Sequence, residues 1–153
     1  MLGNRAHVLV AAAGADGLIV PDLPFDEAPE VRDVMHAAGL ALIPLVAPTT
    51  QPDRLERICA TASGFVYCVS VAGVTGSRDA IAPEALGLLA TVRQTTRLPR
   101  ALGFGLSRHE HLRALTGHTE AAVVGSALID ALDRAPDDPA GTAERFLRSM
   151  LGA

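Results

Sequence analysis

The sequence predicts an α/β domain built on parallel strands, and three observations carry that prediction. Short apolar runs alternate with helical stretches in one rhythm along the chain. Those runs lack polar alternation, as strands covered on both faces do. Glycine or proline punctuates most of the boundaries. Five such strands fit a doubly wound sheet or part of a (βα)8 barrel, and periodicity alone does not separate the two. No Gly-x-Gly-x-x-Gly follows the first strand, which weighs against a dinucleotide-binding domain.

In order, Arg5 to Ala13 reads as a helix stopped by Gly14, a residue suited to a left-handed helix end. Gly17 to Val20 is the first strand, closed by Pro21-Asp22-Leu23-Pro24. Asp26 to Ala38 is helical with acidic residues in its first turn, which suits the helix dipole, and Gly39 stops it. Leu42 to Val46 is the second strand and Asp53 to Ala62 the next helix. The third strand, Phe65 to Ser70, runs into the loop 71–76, and Pro83 starts the helix that reaches Thr95. Arg100 to Gly103 is a short fourth strand. Ser107, three residues before Glu110, has the spacing of a capping box for the helix that follows. Ala121 to Val124 is the fifth strand, ending in Gly125-Ser126. The Asp/Pro-rich stretch 133–140 is expected to be a loop, and Thr142 to Leu151 a final helix.

The 153 residues suit one domain spanning 1–153, and with 49% hydrophobic residues the chain can bury a sizeable core. The net charge of -4 is mild and the cations are scattered, so neither a nucleic acid nor a membrane surface is an expected partner. Apolar runs break well short of the roughly 20 residues that span a bilayer. Cys59 and Cys68 have neither a disulfide framework nor zinc spacing, and are expected as buried apolar thiols in a reducing cytoplasm. His109 and His111 miss the i, i+4 spacing of a metal pair and are expected on a solvated helix face. His7, His36 and His118 are isolated, so no metal is expected.

Chemistry on a parallel α/β scaffold gathers in loops after the C-terminal strand ends. Glycines cluster there: Gly73 and Gly76 after the third strand, Gly103 and Gly105 after the fourth, and Gly125 with Ser126 after the fifth. Phosphate needs converging backbone N–H groups and close approach, which glycine permits, and a helix N-terminus adds a favourable dipole. Ordinary turn glycines fit the same spacing equally well.

Longer strings separate these readings. Ala15-Asp-Gly-Leu-Ile-Val-Pro-Asp-Leu-Pro24 and Tyr67-Cys-Val-Ser-Val-Ala-Gly-Val-Thr-Gly76 resemble strand-and-loop motifs of tryptophan synthase alpha subunits. Gly103-Phe-Gly-Leu-Ser107 and Val124-Gly-Ser-Ala127 are similar to the family's later motifs, in family order and at about family spacing. The resemblance implies an incomplete (βα)8 TIM barrel of about five parallel strands, matching the family's strands four to eight. It implies a lyase family that cleaves indole-3-glycerol phosphate to indole and glyceraldehyde 3-phosphate without a metal or organic cofactor. Pyridoxal phosphate would sit only on the partner beta subunit, which receives the indole. By the same resemblance, Gly76, Gly105, Gly125 and Ser126 would hold the glycerol phosphate. Phe104 and Tyr67 would lie by the substrate, Thr75 in a mobile loop, and Asp22 and Pro24 toward the beta subunit.

The family's proton-transferring Glu and Asp sit near a Pro-Phe-Ser-Asp-Pro-like segment that this sequence lacks, so no catalytic residue is assigned. On this resemblance the chain starts inside the third helix, and about three βα units are missing. Asp22, Asp26 and Asp79 are expected as solvated or capping carboxylates rather than substitutes. A truncated, weakly active or inactive lyase subunit is therefore expected. The alternatives are a non-catalytic phosphate-binding or beta-docking module, or another phosphate-binding barrel of amino-acid biosynthesis. Five strands would leave open edges, at which self-association, pairing with a missing half, or poor stability is expected.

Overall fold

The computed structural model describes residues 6–25, 28–70 and 80–153. Helix α1 (Ala6–Ala12) leads to β1 (Gly17–Ile19), α2 (Ala28–Ala37), β2 (Ala41–Ile43), β3 (Leu45–Val46) and α3 (Pro52–Thr61). Then follow β4 (Val66–Val69), α4 (Pro83–Thr95), β5 (Arg100–Gly103), α5 (His109–Leu115), β6 (Ala121–Val123), α6 (Ser126–Asp133) and α7 (Pro139–Leu151). Every ladder is parallel: β1 with β2, then β3, β4, β5 and β6 in that order. This is the expected α/β architecture of parallel strands with flanking helices, and the described strands do not close into a barrel.

The single second strand expected at Leu42 to Val46 is divided at Pro44, for a clear reason. Proline has no N–H to give a ladder. Its carbonyl still accepts the Tyr67 N–H at 3.0 Å, so the segment passes from the β1 ladder to the β4 ladder at that residue. Pro21 and Asp22 form the centre of a turn closed by the Leu23 N–H on the Val20 carbonyl at 3.2 Å. Proline's fixed φ favours that second turn position. A matching turn at 47–50 has Thr50 N–H on the Ala47 carbonyl, and the Thr50 hydroxyl accepts the Ala47 N–H in return.

Three other expectations need correction. The loop expected over 133–140 is shorter, because α6 extends through Asp133 and α7 begins at Pro139. Asp138 caps α7 by accepting the Gly141 N–H at 3.0 Å, and Pro139 follows where a missing N–H costs nothing. Ser107 does not cap α5: Arg108 holds the capping position, and its side chain makes no capping hydrogen bond to the helix. Nor are both histidines solvated. His111 is 2% exposed, and His109 sits 3.0 Å from the Met150 carbonyl through Nδ1.

The core lies between the central strands and helices α3 and α4. Val66, Cys68, Leu89, Val92 and Leu102 are fully buried, with Val46, Leu55 and Ile58 packed alongside. Consecutive residues Val66, Tyr67 and Cys68 are all buried, so β4 is covered on both faces. Fully burying such side chains stabilises the fold by about 1.5–3 kcal/mol each. By contrast, all three residues of β6 are exposed, and Ile19, Val123 and Ile129 stand open to solvent. Cys59 and Cys68 are free and buried, and burial pushes the Cys68 thiol up to about 12 against the pull of Arg100. Among the described residues, no helix is long and apolar enough to cross a membrane.

Candidate functional site

Register places the ends of the central strands side by side. Val69 pairs with Gly103, and Gly103 pairs with Val123. Gly105 and Gly125 therefore each lie two residues past a paired position, on adjacent loops. Ser70, buried just after β4, donates its N–H to the Gly103 carbonyl at 2.9 Å and carries the ladder one step further.

Between β4 and β5 the contact is unusually close. A Cβ at Gly103 would overlap the Tyr67 hydroxyl and Cζ and lie 2.9 Å from Cε1. Only the absence of a side chain there lets the tyrosine lie across the strand end. Tyr67 is 8% exposed, and burial raises its pKa, so it stays a neutral hydroxyl group. Its ring meets Phe104 edge-on, with centroids 6.0 Å apart and planes at 76°. This is a favourable aromatic geometry.

Phe104 itself is strained. Its φ of +74° is the one positive value among the described non-glycine residues, and Gly105 follows at +76°. A bulky side chain in that region costs about 1–2 kcal/mol, and such strain clusters at functional sites. The outcome is a phenylalanine 57% exposed at the strand end, held out over a buried tyrosine. Leu106, next in line, turns back into the core at 3% exposure.

On the next loop, Gly125 precedes α6 and its carbonyl accepts N–H groups from Leu128 and Ile129 at 2.9 and 3.1 Å. Ser126 is the first helical residue and is exposed. The first N–H groups of a helix have no partner within it, so they and the Ser126 hydroxyl are available to an anion.

The N-terminal end of β5 is tied down separately. Arg100 is buried and gives both its backbone N–H (2.8 Å) and its Nε (3.0 Å) to Glu120 Oε2, with a further bond from Nη2 to Oε1. Its Nη1 reaches the Leu89 carbonyl at 3.3 Å, and the Thr119 hydroxyl donates to the Arg100 carbonyl. The guanidinium holds the Glu120 carboxyl down at about 2.

Tyr67, Gly103 and Phe104 are thus brought into contact, and Gly105, Gly125 and Ser126 lie on neighbouring strand ends. Thr75 and Gly76, with Gly73, Asp26 and Asp79, fall outside the described residues. Asp22 and Pro24 are elsewhere: they line an open cleft of about 540 Å³ together with Arg32, Thr50 and Arg54. Among the described residues, no three His, Cys, Asp or Glu side chains come together to hold a metal. Two residues were missed in the sequence. Gly103 was expected only as the end of the fourth strand and one of the clustered glycines, and no pattern marks a close approach to Tyr67. His111 was misplaced, although its four-residue spacing from Ser107 is the available signal.

Comparison with known proteins fits this geometry. The family model described as tryptophan synthase alpha chain matches residues 4–151. The tryptophan synthase alpha chain of Chloroflexus aurantiacus is 47% identical over 151 residues, covering 98% of this chain and 57% of that protein. That of Carboxydothermus hydrogenoformans is 50% identical over 123 residues, 80% of this chain and 46% of the relative. A solved structure of the tryptophan synthase a2b2 complex from Pyrococcus furiosus superposes with a TM-score of 0.89 at 33% identity. It covers 96% of this chain and 60% of that one. The chain therefore spans about half the length of the curated relatives it matches.

Proposed function

Since the chain belongs to the tryptophan synthase alpha chain family, we propose that its strand ends form the phosphate-holding side of that family's lyase site. The substrate would be indole-3-glycerol phosphate, and the products indole and glyceraldehyde 3-phosphate. One observation carries the reading: strained Phe104, edge-on to buried Tyr67 and followed by Gly105, lies on the loop beside Gly125-Ser126. Gly105, Gly125 and Ser126 would supply N–H and hydroxyl donors to the glycerol phosphate, joined by Gly76. Phe104 and Tyr67 would flank the apolar part of the substrate, and Thr75 would belong to a loop closing over it.

Cleavage of the C–C bond requires a proton delivered to indole C3 and one removed from a glycerol hydroxyl. No residue of this chain is assigned to either transfer. Lacking such groups typically costs about 10²–10⁴-fold each, so these residues by themselves are proposed to bind the substrate without appreciable turnover. No cofactor is proposed for it. Pyridoxal phosphate would belong to a beta subunit, toward which Asp22 and Pro24 would face.

The test is calorimetric titration of the chain with D-glycerol 3-phosphate. Binding is expected, and Ser126→Ala should weaken it about tenfold, the worth of one hydrogen bond to a charged group. No heat of binding, or a Ser126→Ala variant that binds as tightly as the parent, would count against the phosphate site.

A further inference from the structure

We infer that His111 is a positioning residue for the loop between β5 and α5, with its neutral imidazole serving as a backbone acceptor. The inference rests on the phosphate reading above, because the loop it fixes is the one carrying Phe104 and Gly105. The loop is tied at both ends by side-chain and backbone partners outside it. At its start, the Gly103 carbonyl accepts the Ser70 N–H at 2.9 Å. At its end, the Ser107 N–H donates to His111 Nδ1 at 3.1 Å.

The intervening residues need such restraint. Phe104 holds an unfavourable φ of +74°, and a strained residue persists only where its surroundings over-determine it. Leu106 supplies one fixed point by burial. The Ser107 amide supplies the other. Because α5 begins at His109, the Ser107 N–H lies outside the helix, and the carbonyl four residues back, that of Gly103, accepts the Ser70 N–H instead. The imidazole, reaching back from α5, takes the role that a capping side chain would fill.

His111 is also well placed to hold it. At 2% exposure its ring is fixed by packing, so the acceptor nitrogen is not free to swing away. An imidazole that accepts at Nδ1 carries its proton on Nε2 and is uncharged. Nothing in this role touches substrate. The residue acts through the loop.

Two variants separate acceptor from filler. His111→Gln keeps an acceptor, whereas His111→Leu fills the space without one. Amide hydrogen exchange would be read at Ser107 and its neighbours, and binding of D-glycerol 3-phosphate by calorimetry, both in the full chain. His111→Leu is expected to speed exchange across the loop about tenfold and to weaken binding about tenfold, while amides of β4 and α4 stay unchanged. His111→Gln should recover most of both. Unchanged exchange and affinity in His111→Leu would overturn the inference, as would equal losses in the two variants, which would mean packing alone. Absent binding in the parent chain would sink the phosphate reading and this residue's part in it. Intact binding with unaltered loop exchange would sink His111 alone.

Discussion

Gly103→Ala is expected to displace Tyr67, lower stability by about 2 kcal/mol, and weaken glycerol-phosphate binding by more than Ser126→Ala does. The added methyl would occupy space now held by the tyrosine hydroxyl and Cζ. Neither partner can yield cheaply. Gly103 is paired on both sides, to Val69 and Val123, and Tyr67 is buried against Phe104. Rotation of the ring would expose it and remove the edge contact that supports Phe104 in its strained conformation. The chain has one Tyr and no Trp, so tyrosine emission and the tyrosine band in near-ultraviolet circular dichroism report on Tyr67 alone. Both should change in Gly103→Ala. Adding Tyr67→Leu should cost little further stability, because the tyrosine is already displaced and its removal relieves the clash, giving a coupling energy in a double-mutant cycle. Unchanged tyrosine spectra, or fully additive losses, would show that the close approach at Gly103 does not organise the site.

Glu120→Gln is expected to destabilise the chain by about 2 kcal/mol and to flatten its acid unfolding. Breaking a fully buried pair costs about 3–5 kcal/mol, but Glu120 is 49% exposed on its side chain, so solvent screening reduces the figure. Arg100 would be left buried with the Leu89 carbonyl and a neutral amide. The pH dependence follows in sign. Glu120 has a folded-state pKa lowered from 4.5 to about 2, chiefly by its side-chain bond to Arg100. A depressed carboxyl contributes stability that is present above its unfolded value and lost as pH falls through its folded one. The contribution therefore disappears between about pH 4.5 and 2. Asp138 is also depressed, by the Gly141 N–H and then Arg145, and titrates in both proteins. Urea unfolding of parent and variant at neutral and acid pH isolates Glu120 as the difference between them. An equal acid slope in the two would refute its role.

Much of the architecture was legible because it rests on short-range signals. Gly14 and Gly39 end helices, Pro83 opens one, and uninterrupted apolar runs such as 66–69 mark strands covered on both faces. The misses share a different cause. Pro44 looked compatible with a strand because its neighbours are apolar, and the lost N–H shows only when a ladder partner is known. Asp138 was hidden among Asp133, Asp137 and Pro136, where composition suggests a loop and only the Gly141 bond reveals a helix start. The Gly105, Gly125 and Ser126 positions were singled out by their motif strings, since their spacing alone fits ordinary turn glycines equally well. What could not be read was the pairing of Gly103 with Tyr67 and of Ser107 with His111. Both depend on where side chains meet across elements, which no local pattern encodes.

The order of the strands has a consequence for how the chain assembles. Among the described residues, each ladder joins a strand to the next one along the sequence, and none bridges over an intervening strand. Each pairing therefore closes over a single crossover rather than several, which limits its entropic cost. Such a chain can accrete one βα unit at a time. The β4–α4–β5 unit, with its buried Val66, Leu89 and Leu102, is expected to be the most persistent part of the domain. Unfolding should start from both rims, so that amides near Ile19 and Val123 open at low free energy while those of β4 require the whole domain to come apart.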